Sequence, residues 1–98
     1  MNYEKKTNLK NFTIEDIEEL CILAEREIRK YIHSKCPEKE INQLEITVEI
    51  GFEKTTNLTI EVDLESDSLS TEESKMLVEE AVRKAINIID EKLLGLSH

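Results

Sequence analysis

The chain has 98 residues, of which 39% are hydrophobic and 36% charged. That is enough for one compact core and too little for a second domain. Thirteen basic against 22 acidic side chains give a formal net charge of −9, which opposes broad contact with phosphate backbones or anionic lipid headgroups. With no apolar run long enough to span a bilayer and no signal-peptide stretch at the start, the expectation is a soluble cytoplasmic protein. No membrane attachment and no direct nucleic-acid partner are expected.

Residues 1–11 are polar, carry Lys5, Lys6 and Lys10, and offer only Tyr3 and Leu9 as anchors. They read as a flexible N-terminal arm ahead of a single domain over residues 12–95. Thr13 and Asp16 then mark a helix start, with Phe12 placed to staple onto Ile17. Ile14, Ile17, Leu20, Cys21, Ala24, Ile28, Tyr31 and Ile32 recur at three- and four-residue intervals and predict a helix to about Ser34, with Pro37 forbidding continuation. Cys21 belongs to that stripe as a small core residue. Cys21 and Cys36 are the only thiols, without C-x-x-C or paired-histidine spacing, so both are expected reduced and no zinc site is indicated.

A charged connection, Pro37 to Gln43, precedes a change of period from helical to two. Leu44, Ile46, Val48, Ile50 and Phe52 alternate with polar residues, as do Leu58, Ile60, Val62 and Leu64 after a short turn. This predicts a β-hairpin with one apolar and one acidic face. Ser70 and Glu73 form a capping box for a last helix with Val78, Ala81, Val82, Ala85, Ile89 and Leu93 on its inner side, ending near Gly95. Glu79 with Arg83 and Glu80 with Lys84 are spaced as ion pairs on its outer side.

The fold class is therefore α+β, a two-layer α-β-β-α domain whose antiparallel hairpin is covered on one face by both helices. Ile46, Val48, Ile60, Val62, Ile28, Ala24, Val82, Ala85 and Ile89 are its expected core. Two strands about 4.8 Å apart are narrower than two helices 8–10 Å apart, so the sheet needs widening. Either the arm adds a strand, or dimerisation pairs another chain along the hairpin edge. Ile22 and Leu23 on the first helix, and Met76 and Leu94 on the last, lie away from the core stripes and are surplus to a monomer.

No phosphate loop, nucleophile elbow or metalloprotease motif is present, so no catalytic residues, no cofactor and no metal site are assigned, and the chain is read as no enzyme. His33 is read as a solvated helix-end side chain. Glu45, Glu49, Glu61, Asp63 and Glu65 gather on the outer hairpin face, where flat strands do not wrap a cation and the acids serve solubility and choice of partner. The partner-binding candidates are these five with Ile22, Leu23, Met76 and Leu94. The richness in Glu, Lys and Ile, with one Pro and two Gly, is a balance common in thermophiles.

At Tyr31-Ile32-His33-Ser34-Lys35, Lys39-Glu40-Ile41 and Leu44-Glu45-Ile46-Thr47-Val48-Glu49, followed by the acidic strand Leu58 to Glu65 and the last helix, the chain resembles a family of small archaeal proteins built on a domain of unknown function. The resemblance spans about residues 13 to 93. Members are often encoded beside prefoldin and beside the small dimerising subunit of KEOPS, the assembly that makes threonylcarbamoyladenosine on tRNA. That subunit has a strand, a helix, two strands and a final helix; the order expected here is similar, less the first strand. The surplus apolar surface and the absence of a catalytic site lead to a non-catalytic interaction subunit, a homodimer or heterodimer through sheet edge or helix surface. The resemblance implies that it is linked to KEOPS as an accessory dimerising member. The alternative is an acidic adaptor associated with prefoldin or another chaperone. A small RNA-binding module ranks below both, since the sequence lacks a G-x-x-G clamp, an aromatic strand platform and a basic surface.

Overall fold

Two capping boxes written in the sequence start the two helices. A computed structural model describes residues 2–7, 13–52 and 56–96. The elements are β1 (Asn2–Thr7), α1 (Ile14–Lys35), a 3₁₀ turn (Glu38–Glu40), β2 (Ile41–Phe52), β3 (Thr56–Ser66) and α2 (Thr71–Leu96). At the head of α1 the Thr13 hydroxyl accepts from the Asp16 N–H at 3.1 Å, and the Asp16 carboxylate accepts from the Thr13 N–H at 3.2 Å. Ser70 and Glu73 repeat this reciprocal pairing at 3.1 and 3.0 Å ahead of α2. Each box satisfies backbone donors that a helix start leaves without partners. Helix α1 ends as predicted before Pro37, with the Cys36 N–H donating to the Ile32 carbonyl at 2.8 Å and Cys36 in extended conformation.

The hairpin register is the one the alternation requires. Leu44 faces Leu64, Ile46 faces Val62, Val48 faces Ile60 and Ile50 faces Leu58. Strand β2 begins at Ile41, earlier than predicted, with an irregularity between Ile41 and Gln43. Residues 53–55, where the turn falls, and Phe12, the expected staple, lie outside the described residues.

The N-terminal segment departs from expectation. Asn2–Thr7 is a strand rather than a loose arm, antiparallel to β3 with Tyr3 opposite Ile60 and Lys5 opposite Leu58. The sheet order is β1-β3-β2, so the element order is strand, helix, strand, strand, helix. Backbone pairing explains the strand: without β1, the second edge of β3 would present a row of unpaired N–H and C=O groups beside the core. Tyr3 adds a partly buried ring to that core. Three strands at about 4.8 Å spacing give a platform roughly 10 Å wide between outer strands, which matches two helices 8–10 Å apart. The sheet is thus widened within the chain.

Both helices pack on one face of the sheet. Ile17, Leu20, Ala24, Ile28 and Ile32 of α1 meet Leu58, Ile60 and Val62 of β3 and Val78, Ala81, Val82, Ala85 and Ile89 of α2 in one cluster. Seven of the nine expected core residues are buried, while Ile46 and Val48 are half-buried. Their strand is a margin of the sheet, so neighbours cover them from one side only. Ile14 keeps the helical spacing of the stripe yet is 75% exposed in the first turn of α1. The cysteines also exchange roles: Cys36 is buried and Cys21 half-buried, both free. The turn after α1 carries Cys36 inward, where its sulfur lies 3.5 Å from the Ser66 hydroxyl and 3.8 Å from that of Ser68.

Candidate interaction surfaces

Strand β2 presents the longest open backbone edge. It spans 12 residues and, among the described residues, pairs on one side only, with β3. Proteins commonly blunt such edges with lysine, proline or a bulge. The segment Ile41–Phe52 contains no lysine and no proline, and its irregularity sits at its very start. Beneath the edge, Leu44, Ile46, Val48 and Ile50 form a half-buried apolar row. A strand added there would gain main-chain hydrogen bonds and cover that row in one event.

The outer sheet face carries the predicted acids. Glu45, Glu49, Glu61, Asp63 and Glu65 are all exposed, and Glu4 of β1 joins them. Register divides the five: Glu45 and Glu49 stand on the margin strand, while Glu61, Asp63 and Glu65 stand on the central one. Glu45 lies directly opposite Asp63, a like-charge cross-strand pair that costs stability. Only Glu45 and Glu49 would neighbour a strand added at β2. Among the described residues no group of three or more His, Cys, Asp or Glu side chains is arranged to hold a metal ion.

The helix layer carries the exposed apolar residues. Ile22 is 55% and Met76 63% exposed, and Leu23 is half-buried. A groove of about 490 Å³ runs between α1 and α2, lined by Asp16, Glu19, Leu20, Ile22, Leu23, Arg26 and Lys92. Met76 belongs to a separate depression of about 270 Å³ with Lys35, Leu69, Glu73, Leu77 and Glu80. The structure therefore separates Ile22 and Leu23 from Met76. The side chain of Leu94 lies outside the described residues.

A polar cluster beside Met76 escapes the sequence pattern. Tyr31, expected on the core stripe, is half-buried, and its hydroxyl donates to the Glu80 carboxylate across the helix pair. Lys84 Nζ and Lys35 Nζ stand 5.2 and 5.9 Å from the ring centroid, within reach of a cation–π attraction. The Glu80 hydrogen bond, then burial, pushes the Tyr31 hydroxyl above its ordinary pKa of 10.0. Its signal was a tyrosine at a helical core position whose hydroxyl needs a partner.

Cys21 and His33 are the other candidates that the sequence singles out. Burial, then the Glu18 carboxylate, pushes the Cys21 thiol upward, which lowers its thiolate fraction and its nucleophilicity. His33 is half-buried rather than fully solvated, and its Nδ1 is enclosed with no hydrogen-bond partner. No helix among the described residues is long and apolar enough to cross a membrane.

Comparison with known proteins finds a family and relatives similar in sequence and fold. The model of the family described as "Protein of unknown function (DUF3194)" matches residues 9–92. An uncharacterized protein of Thermococcus kodakarensis is 31% identical over 90 residues, covering 92% of this chain and 83% of the relative. A crystal structure from Thermococcus onnurineus NA1 superposes with a TM-score of 0.82 at 28% identity, over 99% of this chain and 94% of that one. The solution structure of the hypothetical protein mth677 from Methanothermobacter thermautotrophicus gives a TM-score of 0.74 at 26% identity, over 94% and 100%.

Proposed function

This chain belongs to the DUF3194 family, and we propose that it is a non-catalytic protein-interaction subunit that completes its sheet with a strand from another protein. The observation that carries this reading is the open 12-residue edge of β2 above a half-buried apolar row. Main-chain hydrogen bonds along the edge supply affinity, and the apolar row adds burial. Glu45 and Glu49 set the choice of partner: a second acidic strand is repelled, whereas a strand with basic outward residues gains encounter rate and specificity.

The partner we infer is the small dimerising subunit of KEOPS, with this chain as an accessory member that contributes no chemistry. The strand-helix-strand-strand-helix order supports this, because β1 supplies the element by which the sequence-based order differed from that subunit's. Two such domains have matching sheets to join. Light scattering of this chain mixed with the KEOPS small subunit of the same genome tests the reading. A mass equal to one copy of each is expected, lost when Glu45 and Glu49 are both changed to Lys with helical signal and melting intact. Separate elution of the two proteins at high concentration, or unchanged binding by the double variant across a salt series, contradicts it.

A further inference from the structure

We infer that the outer face of α1 is a self-complementary surface that binds a second copy of this chain, with the two α1 helices antiparallel across a two-fold axis. It concerns a face other than the β2 edge and stands or falls separately from the proposed function. At 100° per residue, Glu15, Glu19, Ile22, Leu23, Arg26 and Lys30 fall within one arc of α1, on the side away from the buried stripe of Ile17, Leu20, Ala24 and Ile28. Glu15, Glu19, Ile22, Arg26 and Lys30 are exposed and Leu23 half-buried. Glu19, Ile22, Leu23 and Arg26 also line the groove beside α2.

Charge along this arc is antisymmetric. The acids lie on the N-terminal side of the Ile22–Leu23 midpoint and the bases on the C-terminal side. Glu19 and Arg26 are each about 5 Å along the axis from that midpoint, and Glu15 and Lys30 about 11 Å, at 1.5 Å per residue. A two-fold axis through the midpoint therefore brings Glu19 level with Arg26 of the copy and Glu15 level with Lys30, each pair occurring twice. The axis keeps each flank of the arc on its own side, so Ile22 meets Ile22 of the copy and Leu23 meets Leu23, covering the most exposed apolar group in the arc. A parallel arrangement in register would instead align like charges, so the pattern selects one orientation.

The net charge of −9 does not forbid this contact. The acidic sheet face lies on the opposite side of the domain, behind the helix layer, while the arc itself is balanced. Repulsion between more distant charges is screened with a Debye length of about 8 Å at physiological ionic strength. With a small apolar centre and exposed ion pairs, the dimer is weak and salt-sensitive.

Sedimentation equilibrium of the isolated chain over a wide concentration range tests the inference. The wild-type chain is expected to dimerise reversibly, more weakly as salt rises. Glu19→Arg or Arg26→Glu alone is expected to weaken the dimer roughly tenfold or more, since the symmetry converts two attractive contacts into two repulsive ones. The double variant E19R/R26E, with both charges exchanged, restores it to within about threefold. If a single reversal fails to fold by circular dichroism, Glu19→Gln and Arg26→Gln take its place, with weakening again expected. A wild-type chain that stays monomeric to millimolar concentration overturns the inference, and so does a dimer indifferent to these changes or one that the double exchange fails to restore.

Discussion

Truncating Ile60 and Ile46 separately to alanine distinguishes a central strand from a marginal one, although the two residues occupy equivalent places in the sequence pattern. Ile60 is 1% exposed, flanked in register by Val48 and Tyr3, and part of the buried cluster to which both helices contribute. Removing three carbon groups there forfeits about 2.4 kcal/mol of transfer free energy at roughly 0.8 kcal/mol per group. A residual cavity of about 60 Å³ adds about 1.4 kcal/mol at roughly 24 cal/mol per Å³. The expected loss is therefore about 4 kcal/mol, a large part of the 5–15 kcal/mol typical of a domain. Ile46 is half-buried at the margin, so it forfeits about half the transfer term, roughly 1 kcal/mol, and leaves an open notch with no closed cavity. Urea unfolding of the isolated chain, read as midpoint shifts at constant slope, measures both. Equal losses at the two positions, or a larger one at Ile46, would refute the strand order β1-β3-β2.

Four further outcomes follow from local geometry. Ser70→Ala removes the acceptor of the α2 capping box and is expected to cost about 1 kcal/mol in the same assay. The Ser70 hydrogen bonds hold the Glu73 carboxyl below its ordinary pKa of 4.5. Its contribution to stability is thus fully present above pH 4.5 and lost as pH falls through the lowered folded value, so acid unfolding curves of wild type and Glu73→Gln should converge below that pH. Glu45→Lys turns the repulsive pair with Asp63 into an attractive one and should stabilise the fold by up to about 1 kcal/mol by thermal melting. Spectrophotometric titration should find both tyrosines above 10.0, Tyr3 through burial and Tyr31 through its bond to Glu80, with Glu80→Gln bringing Tyr31 alone down; no downward shift in that variant removes the assigned cause.

The features legible in the sequence are those set by neighbours along the chain. Thr13 with Asp16 and Ser70 with Glu73 are pairs three residues apart, and both cap helices as read. The alternation from Leu44 to Leu64 fixes the hairpin register, because a slip of one residue would turn every apolar side chain to the outer face. Strand β1 was not legible, since Asn2–Thr7 has no alternating apolar row and forms by pairing with residues far along the chain. Sheet position was hidden for the same reason: Ile46 and Ile60 alternate identically, and only the partner on the far side of β3 makes one central and the other marginal. Ile14 and Cys21 keep helical spacing, but periodicity does not say where the sheet beneath a helix ends. The five outward acids were legible as a face, while their division between β2 and β3 relative to an open edge required the topology.

Hydrogen exchange read by mass spectrometry, with and without an equimolar KEOPS small subunit, tests the central claim at the edge it concerns. Residues 41–52 exchange through an open side in the isolated chain, and their amides are expected to slow at least tenfold on mixing while 56–66 and the core of the helices change little. No slowing along β2, or protection confined to other elements, would contradict the account.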